Sequence, residues 1–181
     1  VFAGALCKTG VLVEDGTLWL TIPIILLTGL AFGLINGFLV AKCKIAPFIA
    51  TLGSMLFSRG LTAVVAEAVR GTSSAVKYPS TGWFQKIFAN LNGFPIGLVW
   101  VLALTVICMI VMYKTKIGRY ILAIGSNEEA ARLSGINTDK YKILAYVISG
   151  LFAAMAALFY VAANPSLTIA AGNGMELDAT A

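Results

Sequence analysis

The side chains that usually carry out chemistry are scarce and scattered in this 181-residue chain. Histidine, the commonest general base and metal ligand, is absent. Cys7, Cys43 and Cys108 are odd in number and far apart, with no CxxC spacing, so they suggest neither a disulfide framework nor a zinc site. No GxxxxGK[ST] phosphate loop occurs. Hydrolytic or nucleotide chemistry in this chain is therefore not expected, and no catalytic residue, metal ligand or bound cofactor is assigned.

The polar residues that stand out lie inside apolar stretches. Asn36, Thr51, Ser54, Ser58 and Arg59 fall at positions deep in hydrophobic runs. Arg59 is the twelfth of the 22 residues 48–69, and an arginine at the centre of a membrane helix costs about 2.5–3.5 kcal/mol on insertion scales. It needs a partner. Glu67 lies about 12 Å further along the same helix, so a group on another helix is the expected one. Asn36, Thr51, Ser54 and Arg59 are candidate residues of a solute pathway.

Another pattern concerns packing. Gly29, Gly33 and Gly37 recur every four residues, and Ser149, Gly150, Ala153, Ala154 and Ala157 form a second small-residue face. In lipid, small residues at this spacing let two helix backbones approach closely. Gly29, Gly33, Gly37 and Gly150 are the expected packing residues.

The elements that must position these groups are membrane spans. Hydrophobic residues make up 59% of the chain and charged residues 12%, against about 25% charged in an average soluble domain; mean hydropathy is +0.90. Four stretches, 17–41, 48–69, 94–113 and 143–163, approach the roughly 20 apolar residues that a spanning helix needs. Residues 1–6 read as the tail of an earlier span. The expected fold is an all-α polytopic helix bundle of about four complete spans plus partial ends. It forms one transmembrane domain over residues 1–181 with no linker or repeat. A start at Val1 and a stop after Ala181, with no polar tail, suggest part of a longer subunit.

The net charge of +5 does not signal nucleic acid, because the basic residues cluster beside apolar runs. Eight of them fall after the first span and in the 114–142 loop, and four on the opposite side. The richer side is expected to be cytoplasmic, which places the 70–93 loop and the 164–181 tail outside.

Within the 114–142 loop, Ser126 followed by Glu129 reads as a capping box, and Gly135 as a left-handed stop. They enclose a helix of about two turns, too short to stand alone in water. Ala130, Ala131 and Leu133 give it an apolar docking surface for a cytoplasmic partner.

These residues together resemble a known family. Asn36-Gly37, then Pro47-Phe48-Ile49-Ala50-Thr51-Leu52-Gly53, Arg59-Gly60, the run GRYILAIGSNEEAARLSGIN from Gly118, and AGNGMELDATA at the end are similar, in order, to the permease subunit of bacterial sugar ABC importers of the ribose, xylose and galactose type. The resemblance implies a multi-pass protein of the bacterial inner membrane that pairs with a second permease subunit, as a homodimer or heterodimer. It also implies a cytoplasmic ATP-binding subunit that handles ATP and Mg²⁺, and a periplasmic or lipid-anchored sugar-binding protein. Glu129 to Gly135 matches the EAAxxxG opening of the importers' coupling motif but lacks its IxLP ending. Ser126, Asn127, Glu129, Ala130, Ala131, Arg132, Leu133 and Gly135 are thus expected to couple to the ATPase, and Glu176 and Asp178 to lie near the solute route. A self-sufficient secondary carrier using Arg59, Glu67 and Asn36 is the competing reading.

Overall fold

The computed structural model describes residues 18–70, 76–77, 96–164 and 166–167. Six helices account for nearly all of them: α1 (Leu18–Ala41), α2 (Pro47–Arg70), α3 (Ile96–Lys114), α4 (Lys116–Ser126), α5 (Glu128–Leu133) and α6 (Thr138–Ala163). Four of these, α1, α2, α3 and α6, are long and apolar enough to cross a membrane. The chain is an all-α polytopic helix bundle, and it is a multi-pass membrane protein.

The tightest pairing is between α1 and α6. Gly29 faces Gly150 and Ala154, Gly33 faces Tyr146 and Val147, and Gly37 faces Ile143. Contacts therefore descend α6 as they climb α1, so the two helices run antiparallel. At one end of the pair Leu158, Val161 and Ala162 form a buried cluster against Ile22, Ile25 and Leu26. At the other, Lys42 lies 3.7 Å from Asp139 in the first turn of α6. An acid there also opposes the positive end of the helix dipole.

α2 begins with Pro47 at its first helical position, where the missing N–H costs nothing; the Ala46 carbonyl accepts from Ile49 and Ala50 at 3.0 and 3.1 Å. Between α1 and α2 the chain turns through Lys44, a non-glycine residue with positive φ (52°). α3 has no buried residue, so its Leu98, Val99, Val101, Leu102 and Val106 present apolar surface outward.

Two residue pairs join distant loops. Val76 and Lys77 (β1) pair antiparallel with Leu167 and Ser166 (β2), which brings the segments following α2 and α6 to the same end of the bundle. α6 starts at Thr138, five residues ahead of the apolar stretch at Ile143. Its N-terminal turn is polar and projects beyond the hydrophobic part. The Asn137 side chain caps this turn, accepting from the Lys140 N–H at 3.2 Å.

Candidate functional site

The segment between α3 and α6 folds into two helices. α3 ends at Lys114 and the chain bends at Thr115, whose hydroxyl donates to the Val111 carbonyl at 2.6 Å and accepts from the Gly118 N–H at 3.2 Å. Gly118 is buried against the Met112 backbone, so close that any side chain there would collide with it. This contact fixes the elbow. α4 follows with Ile117, Tyr120, Ile121 and Ile124 at i, i+3, i+4 and i+7, one apolar stripe of an amphipathic helix. Tyr120 meets Tyr141 of α6 edge to face, ring centroids 5.0 Å apart.

Asn127 joins α4 to α5 and serves both. In extended conformation, it donates its N–H to the Ala123 carbonyl at 3.1 Å, ending α4, and its Oδ1 accepts from the Ala130 N–H at 3.0 Å, starting α5. The capping box read at Ser126 and Glu129 is corrected here. α4 continues through Ser126, whose hydroxyl donates back to the Leu122 carbonyl at 3.1 Å. Asn127 is the first non-helical residue, and Glu129 falls one position too early to complete the box.

α5 is closed at its other end by a Schellman turn. Gly135, at φ 82°, donates to the Arg132 carbonyl at 3.0 Å, and Ile136 to the Ala131 carbonyl at 3.1 Å. Lys142 of α6 pairs with Glu128 at 2.6 Å, their side chains 28% and 49% exposed. Such partly exposed pairs contribute little energy but fix orientation. A cleft of about 490 Å³ opens between α4, the loop after α5 and the start of α6, lined by Tyr120, Ser134, Gly135, Asn137, Lys140 and Tyr141 among others.

The apolar surface expected along α5 is divided between its two sides in the structure. Ala131 is 5% exposed and points into the protein, whereas Leu133 is 86% exposed. Two helical positions apart, they lie about 200° apart around the axis. Ala131 therefore seats α5, and Glu129, Ala130, Arg132 and Leu133 form its outward side.

Of the candidate pathway residues, Asn36, Thr51, Ser54 and Arg59 fall among the described ones. On α2, Thr51 donates to the Pro47 carbonyl at 2.9 Å and Ser54 to the Thr51 carbonyl at 2.9 Å, so both hydroxyl protons serve their own helix. Ser54 borders an apolar groove whose α1 wall includes Phe32, Ile35 and Leu39, and Asn36 is not part of that wall. Arg59 is exposed. Asn36 lies about 20° from Gly29 around α1 at 100° per residue, on the stripe that faces α6, and its buried Oδ1 has no hydrogen-bond partner among the described residues. Glu176 and Asp178 lie outside the described residues.

Sequence reasoning missed α4 and the Glu128–Lys142 pair. The stripe from Ile117 to Ile124 was the available signal for α4; the pair spans 14 residues and leaves no local pattern.

Comparison with known proteins gives a consistent set of matches. The family described as branched-chain amino acid transport system / permease component matches over residues 1–181. The ribose import permease protein RbsC of Escherichia coli (strain K12) is 39% identical over 158 residues, covering 84% of this chain and 47% of that protein. RbsC of Haemophilus influenzae is 35% identical over 185 residues, covering 98% of this chain and 54% of that protein. The galactose/methyl galactoside import permease protein MglC of H. influenzae is 31% identical over 166 residues, covering 88% and 49%. The chain thus spans about half the length of these curated relatives. No solved structure matches it significantly.

Proposed function

The chain belongs to the permease-component family of branched-chain amino acid transport systems, and on that footing we propose that it is the membrane-spanning subunit of an ATP-driven importer. Its cargo would be a monosaccharide or similar small polar solute, in keeping with the names of its relatives. ATP and Mg²⁺ would be handled by a separate cytoplasmic subunit. A second permease subunit would complete the pathway, and a periplasmic or lipid-anchored sugar-binding protein would deliver the solute at the bacterial inner membrane.

The observation that carries this reading is the presentation of α5. A six-residue helix is too short to persist alone in water, yet this one is capped at both ends, seated by Ala131 and tied to α6 by Glu128 and Lys142. The arrangement holds Leu133 out, 86% exposed. A large apolar side chain presented in the open on a capped and tethered helix suits insertion into a partner's groove.

Movement of α5 has a short route into the membrane. Only Ser134 to Asn137 separate it from α6, and α6 is packed backbone to backbone on α1. Closure of the ATPase subunits against α5 would move α1 and α6 together as one body and switch access between the two sides.

The test is Leu133→Asp in the full subunit, with ATPase association and solute uptake measured. Both are expected to fall at least tenfold while the variant still inserts and folds, since burying an unpaired charge in an interface costs more than 1.4 kcal/mol. Survival of both would refute coupling through α5. Uptake by the subunit alone in vesicles without ATP would favour a secondary carrier instead.

A further inference from the structure

We infer that the elbow between α3 and α4 is a seat for the headgroup of an anionic phospholipid, formed by Lys114, Lys116 and Arg119. The argument begins with charge. The chain contains no Asp or Glu between Glu67 and Glu128, so these three cations have no acid near them in sequence. None of them forms an ion pair among the described residues, whereas Lys42 and Lys142, on the neighbouring elements, each have one, with Asp139 and Glu128. All three cations are exposed.

Depth is the second consideration. α3 has 19 residues, about 28 Å at 1.5 Å per residue, close to the roughly 30 Å thickness of a bilayer's hydrocarbon core. An apolar helix of that length crossing the membrane puts its last residue, Lys114, at the edge of the hydrocarbon core, from which its long side chain reaches the lipid phosphates. Tyr113, the residue before it, is 70% exposed, and tyrosine favours that same boundary.

The bend is the third. Thr115 and Gly118 turn the chain out of α3 into the amphipathic α4. Lys116 borders its apolar stripe and Arg119, three residues on, lies on the polar face beyond it; cations on the polar face are found in helices that rest on membrane surfaces. Lys116 is the first residue of α4, where the helix dipole already concentrates positive charge. A cation there is unfavourable unless an anion balances it, and the lipid phosphate supplies the balance. The seat does not depend on what the subunit transports.

The experiment compares spin-labelled phosphatidylglycerol with spin-labelled phosphatidylcholine on the full subunit reconstituted in phosphatidylcholine bilayers. A surface cation contributes about fivefold to such binding, so the variant with Lys114→Gln, Lys116→Gln and Arg119→Gln should lose roughly a hundredfold in its preference for phosphatidylglycerol. The charge-preserving variant with Lys114→Arg, Lys116→Arg and Arg119→Lys should keep that preference. So should the pair Arg132→Gln and Lys140→Gln, which removes cations elsewhere. For the unaltered subunit, about 1 M salt, where screening acts within ~3 Å, should abolish the preference without any mutation. The proposal is overturned if the glutamine variant retains its preference, if the charge-preserving variant loses it equally, or if the glutamine variant loses only a soluble protein partner.

Discussion

The backbones of Gly29 and Gly150 touch across the α1–α6 pair. A β-carbon on Gly29 would lie 2.5 Å from the Gly150 carbonyl oxygen, and one on Gly150 would press against the Gly29 carbonyl oxygen in turn. Neither obstruction is a side chain that can swing aside.

Gly150→Val should therefore destabilise the subunit by at least the 1–3 kcal/mol typical of overpacking. Gly125→Ala in α4, where a β-carbon meets nothing within 4 Å, should stabilise by about 0.5 kcal/mol through helix propensity. Thermal unfolding of the two purified variants in one detergent checks the opposite signs. Equal behaviour would mean that the helix contact contributes nothing to stability.

Asn127→Ala removes the side-chain oxygen that accepts from the Ala130 N–H. The expected loss is about 0.5–2 kcal/mol, read as faster hydrogen exchange at the first amides of α5. Ser126→Ala should leave those amides unchanged, because its hydroxyl bonds backward to Leu122. Faster exchange in the serine variant alone would restore the capping box.

Lys44 occupies the left-handed region at φ 52°, a conformation that costs an L-residue with a β-carbon about 1–2 kcal/mol. Lys44→Gly should raise the unfolding midpoint, less a part returned to the greater freedom of glycine in the unfolded chain. Gly135→Ala, at φ 82°, should lower it by about 1 kcal/mol. A lower midpoint for Lys44→Gly would show that the lysine side chain contributes more than its backbone conformation costs.

The spans were legible because lipid imposes a length and a composition that no tertiary detail overrides, and α1, α2, α3 and α6 follow the apolar runs closely. The helices between spans were less so. α4 is only 11 residues long and carries Gly118 and Gly125, which weaken a propensity argument; its apolar stripe has meaning only once the elbow at Thr115 turns it sideways. The cap was misplaced by one residue because Ser126 and Asn127 are both good N-caps, and the choice depends on how far α4 runs. Ala131 and Leu133 could not be told apart as inner and outer without the path of the chain beyond Gly135. Arg59 was expected to find a partner on another helix; the structure places it at an exposed position of α2.

α5 is held in place by the buried Ala131 and by the side chains of Asn127 and Glu128 at its N-terminal end. Glu129, Ala130, Arg132 and Leu133 are exposed and carry none of the caps or ties through their side chains. Foldability and recognition are thereby uncoupled in this helix. On the proposed coupling, the four positions Glu129, Ala130, Arg132 and Leu133 are free to diverge and follow a different motor while the membrane portion stays intact, and two chains that display the same four side chains are able to share one.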